Sequence, residues 1–264
     1  MNLSVQLPEK IRIASSFGNA AATYDRYAHF QRDIAGKLFN RISSLHVNQI
    51  LDLGSGTGYC AEHMAAKFPG ASISNLDIAE GMLGYAKRKG DGTKESWVCG
   101  DAEALPFREN CFDLVVSNLA MQWCPAPGNI FSELFRVMKP GSHAYISTLA
   151  ENTLSELRAG WASVDSDVHV NSFLSFDALQ QILNAYAFST VSIQNHPEQY
   201  FYDSLKTLGK ELKGIGATNL NAGQAAGLTG KKKLARLKSC FEQNRVPGKG
   251  IPVTYDLVLI ELVK

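Results

Sequence analysis

A strong net charge is absent from this chain. Its 264 residues include 26 lysines and arginines and 25 aspartates and glutamates, so the formal net charge is +1. A chain so close to neutral has a weak long-range field, which argues against a broad nucleic-acid-binding surface and leaves only local clusters to attract a charged partner. We therefore expect no nucleic acid among its partners.

Cysteine motifs are missing as well. The five cysteines are odd in number and scattered, and no two have CxxC spacing. This pattern supports neither a zinc knuckle nor a disulfide framework, and it is typical of free thiols in a reducing compartment. The histidines His46, His63, His143 and His196 do not share metal-ligand spacing with carboxylates, so we expect no bound metal.

Long hydrophobic runs are also absent. No run reaches the ~18 apolar residues that a membrane span needs. Residues 1–8 (MNLSVQLP) have neither a basic n-region nor an apolar h-region, so they do not predict a signal peptide. The sequence therefore predicts a soluble, cytoplasmic protein with no membrane partner.

Strand and helix patterns alternate through the middle of the chain. The predicted strands are 47–53, 72–76, 96–99, 112–117 and 144–148, followed by 190–202 and 251–263. Strict alternation in the first five is typical of a parallel, doubly wound α/β sheet. We predict an α/β fold with a mostly parallel seven-stranded sheet and helical cap insertions.

The chain is predicted to form a single domain over residues 1–264. Two helices at 10–45 come before the core at 46–148 and would cover its ligand site. Residues 149–264 add the remaining strands and a cap. An insertion at about 203–250 would lie over the mouth of the site.

A glycine loop follows the first predicted strand. Residues 51–58 read LDLGSGTG, Asp77 ends the second strand, and Asp101 follows the third. In open α/β sheets, ligands bind at the carboxyl ends of the strands, so these groups would meet at one edge. The pattern predicts a site for a ligand that carries an adenosine.

Two cofactors compete for this site. Nicotinamide dinucleotides favour G-x-G-x-x-G, but here the spacing is G-x-G-x-G, with Tyr59 at the place of the last glycine. Asp77 suits either ligand because an acid about 20 residues further on can bind ribose hydroxyls. Asp101 favours S-adenosylmethionine, since a third acid can contact the adenine end.

Taken together, the three loops resemble those of class I S-adenosylmethionine-dependent methyltransferases. The resemblance implies that Gly54 and Gly56 line the methionyl part and that Asp77 binds the ribose. The other cofactor-binding residues it implies are Ile78 and Met82 against adenine, Asp101 and Ala102 near its amino group, Asn118 under the sulfonium, and Gln31 at the methionine carboxylate.

The flanking segments resemble the malonyl-acyl carrier protein O-methyltransferases of biotin synthesis, from about Phe17 to the end of the chain. The matching segments are FGNAAATYD from residue 17, SNLAMQWC from residue 117, LKGIGATN from residue 212 and IPVTY from residue 251. Two positions depart from the family pattern. Ser142 stands where a second glycine is usual, and Ser172 replaces a frequent arginine, whose role cannot be carried over.

This resemblance implies methyl transfer from S-adenosylmethionine to the free carboxylate of a malonyl thioester on the acyl carrier protein or on coenzyme A. A carboxylate with a pKa near ~4 is already ionised, so positioning groups are expected and not a catalytic triad. Tyr24 would orient a carboxylate, Phe201 would wall the acyl pocket, and Lys213 would pair with the malonyl carboxylate or a phosphate. Gln122 and Trp123 follow the fourth strand, where the substrate would lie, and for Trp123 a packing role is the favoured interpretation.

A basic segment predicts where the carrier protein docks. Lys231, Lys232, Lys233 and Arg236 would attract an acidic partner. Two other functions share the same core features. One is methylation of a quinone precursor or another small molecule, and the other is a non-catalytic S-adenosylmethionine-binding partner protein.

Overall fold

The computed structural model describes residues 9–43, 46–89, 95–218 and 230–264. The prediction for residues 1–8, the end of the predicted helical segment at 44–45 and residues 219–229 of the predicted insertion lie outside this part of the chain. No described helix combines the length and the apolar character that crossing a membrane would require.

Seven strands form one sheet in the order β3-β2-β1-β4-β5-β7-β6. Strands β1 to β5 are parallel, and β7 runs antiparallel to both β5 and β6. The prediction of a doubly wound, mostly parallel α/β fold is confirmed. The strands are β1 Gln49–Leu53, β2 Ser72–Asp77, β3 Glu95–Cys99, β4 Phe112–Asn118, β5 Met138–Leu149, β6 Thr190–Tyr202 and β7 Ile251–Val263.

The described helices alternate with the strands and extend beyond them. Ser175 caps α7 as its sequence position suggests, since its side chain accepts a hydrogen bond from the amide of Ala178. The helices are α1 Lys10–Tyr27, α2 His29–Phe39, α3 Tyr59–Lys67, α4 Glu80–Lys89, α5 Pro127–Val137, α6 Ser155–Ala162, α7 Phe176–Leu183, α8 Leu205–Gly214 and α9 Lys231–Gln243.

Strand β5 begins earlier than the sequence indicates. Its first residue is Met138, whereas the predicted strand begins at residue 144, after Pro140 and Gly141, which are typical of turns. Met138 pairs with Phe112 on β4, and the ladder then shifts in register before His143 pairs with Leu114. The Pro-Gly pair is therefore accommodated by an irregularity in the strand.

Hydrophobic side chains cover both faces of the sheet. Ile50 and Leu51 are adjacent in β1 and fully buried, yet they belong to different clusters because strand side chains alternate between faces. One cluster packs against α2, α3, α8 and α9, and the other against α5 and α7. The carboxyl ends of the parallel strands remain available for a site between these layers.

Candidate functional site

Two adjoining cavities lie at the carboxyl ends of β1, β2 and β4. The larger spans about 900 Å³ of empty space and the smaller about 400 Å³, both including solvent at their open sides. Tyr24, Gly54, Gly56 and Asn118 line both, so these residues mark the junction. We call the two cavities together the cleft.

The glycine loop forms the floor of the cleft. Gly54, Gly56 and Gly58 have φ values of 76°, 54° and 86°, a region that side chains other than glycine rarely adopt. A Cβ atom on Gly54 would lie 2.3 Å from the Cβ of Ala120, whereas one on Gly56 would meet nothing within 4 Å. Gly54 is therefore required by the protein's own packing, and Gly56 leaves open space in the cleft.

Asp77 is held in place by backbone donors. Its two carboxylate oxygens accept hydrogen bonds from the amides of Gly56 and Ala79, each at 2.8 Å. Burial raises the pKa of Asp77 above its ordinary value, and these N–H groups oppose that rise by stabilising the charge. The carboxylate is thus fixed in orientation at the wall of the larger cavity, with lone pairs left for ligand hydroxyls.

Helix α1 covers the larger cavity. It approaches α4 so closely that a Cβ on Gly81 would lie 2.8 Å from the Cα of Gly18. At the start of α1, the ammonium of Lys10 lies 2.6 Å from Asp101 Oδ2 and also pairs with Glu103. These contacts hold the first turn of α1 against the loop that follows β3.

The other end of α1 is bound to the glycine loop. The hydroxyl of Thr57 donates to Asp25 Oδ1 at 2.6 Å, and Lys89 at the end of α4 lies 3.3 Å from the other oxygen of Asp25. The hydroxyl of Thr23 donates to the carbonyl of Gly214 at 2.8 Å, which ties α1 to α8. Tyr24 lies between Thr23 and Asp25 and is therefore positioned from two sides.

Polar groups line the smaller cavity. The Gln31 side-chain oxygen and the Ser55 hydroxyl are buried and have no hydrogen-bond partner among the described residues. Arg32 lines the same cavity, with its guanidinium 6.0 Å from the centre of the Tyr59 ring. Because a side-chain amide can present either its oxygen or its nitrogen, Gln31 and Arg32 together suit a carboxylate.

Asn118 connects the strands to α2. Its Nδ2 donates to the carbonyl of Gln31 at 2.9 Å, and its Oδ1 accepts from the hydroxyl of Ser147 at 2.8 Å. Tyr24 faces the same junction, where burial first and then the charge of Asp77 raise its pKa. The Tyr24 hydroxyl therefore stays protonated at neutral pH and can donate a hydrogen bond into the cleft.

The structure brings together all the residues predicted to bind the cofactor. Each of them lines the larger or the smaller cavity, and their contact with a ligand stays a prediction. The residues are Gln31, Gly54, Gly56, Asp77, Ile78, Met82, Asp101, Ala102 and Asn118. Trp123 lines the larger cavity too, with its ring 5.1 Å from that of Phe17. Gln122 donates to the Leu119 carbonyl and accepts from Thr148.

The predicted substrate residues are distributed differently. Tyr24 lines both cavities, but Phe201 and Lys213 line neither. Phe201 is 37% exposed, and the ammonium of Lys249 lies 5.6 Å from its ring. Its neighbour Tyr202 faces α8 and donates to Glu211, so Phe201 points from the opposite face of β6. Lys213 is exposed at the end of α8.

Three charged residues of the cleft, Lys10, Asp25 and Arg32, were not among those predicted from sequence. Arg32 directly follows Gln31, and its position next to a predicted cofactor residue was an available signal. Asp25 had a similar signal, because it directly follows Tyr24 in the segment FGNAAATYD, whereas Lys10 had none, since its partner Asp101 lies 91 residues away. Only the tertiary structure shows that they hold α1 over the cleft.

A group of metal-ligand type lies outside the cleft. Ligand atoms of Asp165, Asp167 and His169 lie within 4.8 Å of one another. The ammonium of Lys233 lies 2.7 Å from Asp165, and the His169 ring stacks on Trp161 with centroids 3.6 Å apart. The cluster is therefore already bridged by a cation from the chain, and it anchors α9 to the segment after α6.

Known proteins share both the sequence and the fold. A family model described as a methyltransferase domain matches residues 51–146. The malonyl-[acyl-carrier protein] O-methyltransferase of Hahella chejuensis is 38% identical over 94% of this chain and 88% of its own length. The chain belongs to the malonyl-[acyl-carrier protein] O-methyltransferase family. The resemblance inferred from the sequence segments is thereby confirmed.

Longer proteins also match. The biotin biosynthesis bifunctional protein BioHC of Cellvibrio japonicus is 40% identical over 97% of this chain but over 50% of its own length. The chain thus spans about half the length of the first curated relatives that it matches. Phosphoethanolamine N-methyltransferase 2 of Haemonchus contortus, solved with S-adenosyl-L-methionine, has a TM-score of 0.60 at 18% identity and covers 94% of this chain and 57% of its own. That likeness shows a shared fold.

Proposed function

We propose that this protein transfers the methyl group of S-adenosylmethionine to the free carboxylate of a malonyl thioester on acyl carrier protein, in biotin synthesis. Membership of the family supports the substrate, since the relative from Hahella chejuensis is named for it. The observation that carries the reaction is the two-part cleft, with Tyr24 and Asn118 at the junction of its cavities.

The cleft suits S-adenosylmethionine as the methyl donor. The open space at Gly56 is where a Cβ would intrude, and the Gln31 amide and Ser55 hydroxyl present unpartnered polar atoms to the smaller cavity. In this proposal Gln31 and Arg32 hold the methionine carboxylate, Asp77 the ribose, and Asp101 lies near adenine. When bound, the cofactor supplies a methyl group on a sulfonium, which a carboxylate oxygen can take by in-line displacement.

The chain's own residues position the reactants and exclude water. A malonyl carboxylate is ionised at neutral pH, so no residue has to remove a proton. The protonated Tyr24 hydroxyl would donate a hydrogen bond to one carboxylate oxygen and leave the other free to react. Helix α1 covers this junction, and lowering the exposure to water strengthens such polar contacts.

The remaining substrate predictions concern residues outside the cleft. Phe201 and Lys213 do not line the cleft, so a contact with malonyl would need the chain to move. The predicted docking residues on α9 stay a prediction. Lys233 is paired with Asp165 and Asp167, and Arg236 donates to the Ser163 carbonyl, which leaves Lys231 and Lys232 exposed without a partner among the described residues.

Intact-mass analysis of malonyl-carrier protein, incubated with this protein and S-adenosylmethionine, tests the proposal. We expect the carrier to gain the mass of one methyl group, and mild ester hydrolysis should remove it. A carrier that gains no mass, while calorimetry shows that the cofactor binds, would reject the substrate. The search would then move to small-molecule acceptors or to a non-catalytic binding role.

A further inference from the structure

Positive charge is concentrated in the cap. Residues 203–250 hold ten lysines and arginines and only three acidic residues, although the whole chain has a net charge of +1. The rest of the chain therefore carries six more acidic than basic residues. A polarised surface of this kind orients an acidic partner as it approaches, because the partner is attracted to one side and repelled from the other.

Helix α8 presents one stripe of this charge. Lys206, Lys210 and Lys213 follow at spacings of four and three residues, so they share one face of the helix. All three are exposed, and none has an ion pair or hydrogen bond within the described ranges. The opposite face is packed, with Leu208 fully buried.

Helix stability alone does not explain this stripe. Lys213 in the last turn is favourable for the helix dipole, but Lys206 lies in the first turn, where a cation is unfavourable. Within the described residues, the three lysines form no ion pair, even with Asp203 and Glu211 nearby in the sequence, so no ion-pair network supplies a compensating negative charge. An acidic partner outside the chain would supply that charge.

The α8 stripe lies beside the cleft. Gly214 at the end of α8 accepts from Thr23, and a Cβ at Gly214 would lie 2.1 Å from the ring of Tyr27, so α8 touches α1 on both sides of Tyr24. Helix α9 packs mainly against α6, where Leu237 meets Gly160. Of the two basic helices, α8 is therefore the one that directly contacts the wall of the cleft.

We propose that an acidic carrier protein docks on the α8 face formed by Lys206, Lys210 and Lys213. This inference rests on the proposed function and names the surface that the carrier uses. It places the carrier next to α1, so that its tethered malonyl group can reach the junction marked by Tyr24. The lysines of α9 would then contribute only long-range attraction.

Charge reversal on the two helices provides a matched comparison. The test variant is Lys206→Glu/Lys210→Glu, and the control is Lys232→Glu/Lys238→Glu, which changes the same charge at exposed, unpartnered positions of α9. Methyl transfer is measured with malonyl-carrier protein and with malonyl-pantetheine, which has no carrier surface. For the α8 variant we expect kcat/KM on the carrier to fall roughly tenfold or more, because each exposed charge pair contributes up to about 1 kcal/mol and about 1.4 kcal/mol is tenfold.

Activity of the α8 variant on malonyl-pantetheine should be unchanged, and its deficit on the carrier should shrink in high salt. Equal activity of the α8 variant and the parent on the carrier would overturn the docking surface while leaving the proposed function intact. An equal or larger loss in the α9 variant would overturn it too and would favour α9. No methyl transfer by the parent protein to either substrate would instead reject the proposed function.

A folding defect would lower activity on both substrates. In that case the neutral pair Lys206→Gln/Lys210→Gln replaces the reversed pair, with Lys232→Gln/Lys238→Gln as its control. A smaller loss, confined to the carrier and to α8, is then expected, and its absence counts against the proposal.

Discussion

Replacing Gly214 with alanine should displace the wall of the cleft. A Cβ at this position would lie 2.1 Å from Tyr27 Cδ2 and 2.6 Å from Cγ, near the base of the ring, so the ring cannot simply swing away. Relieving the overlap requires α1 and α8 to separate. Overpacking of this kind typically costs about 1–3 kcal/mol, and losing the Thr23 hydrogen bond to the Gly214 carbonyl would add about 1 kcal/mol.

Gly209→Ala is the matched control in the same helix. A Cβ on Gly209 would meet nothing within 4 Å, so alanine there should stabilise the helix by about 0.5–1 kcal/mol. The free energies of unfolding of the two variants, measured with denaturant, should therefore differ by at least about 2 kcal/mol, with Gly214→Ala the less stable. Calorimetry should also show weaker cofactor binding for Gly214→Ala alone, because Tyr24 and Phe17 on α1 line the cleft. Equal stability and equal binding in both variants would refute the role given to this helix contact.

Three further predictions concern buried polar groups. Asp77→Ala should weaken S-adenosylmethionine binding at least about tenfold in calorimetry, because it removes the carboxylate and frees the buried amides of Gly56 and Ala79; unchanged affinity would remove Asp77 from the ribose site. Tyr24→Phe should lower turnover with little effect on the unfolding midpoint, and normal turnover would make Tyr24 a packing residue only. Burial raises the pKa of Asp52 to about 8. The folded state therefore keeps a proton that the unfolded state releases, and the free energy of unfolding should fall, by at most about 1.4 kcal/mol per unit, as pH rises from about 4 to about 8. In Asp52→Asn, the denaturation midpoint should depend less on pH over that range. An unchanged pH dependence would contradict the raised pKa of Asp52.

The cofactor side of the cleft was predictable because its signals are local. Gly54 and Gly56 follow a buried strand directly, and Asp77 ends the next one, so strand order alone brings them to one edge of a parallel sheet. The N-terminal helices were predicted to cover the site, but the contacts that hold α1 there were not predictable. The contact between Thr23 and Gly214 joins residues 191 positions apart, and nothing near either residue indicates the other.

Phe201 shows a different limit. The bounds of β6 agree with the sequence prediction, but the pattern of that strand does not decide which face meets the cap. Tyr200 and Tyr202 take the face toward α2 and α8, where they contact Asp33 and Glu211, and Phe201 takes the other. Side chains alternate between the two faces of a strand. A prediction of the strand alone therefore does not determine which of its residues point toward the cap.

Strand β6 is synthesised before β7, yet among the described strands its hydrogen-bonded neighbour is β7, which lies between it and β5. In a nascent chain, β6 therefore has no partner strand in the sheet until β7 has emerged from the ribosome. Helix α8, which directly follows β6, is made during the same interval. Helix α1, made before α8, depends on Gly214 at the end of α8 for its contact at Thr23 and on Gly216, just after α8, for its contact at Ser16. Pairings over such separations form late in folding. The binding cleft is thus completed only when the beginning of the chain meets its later-made part, and an unfinished chain should have no competent site for the methyl donor.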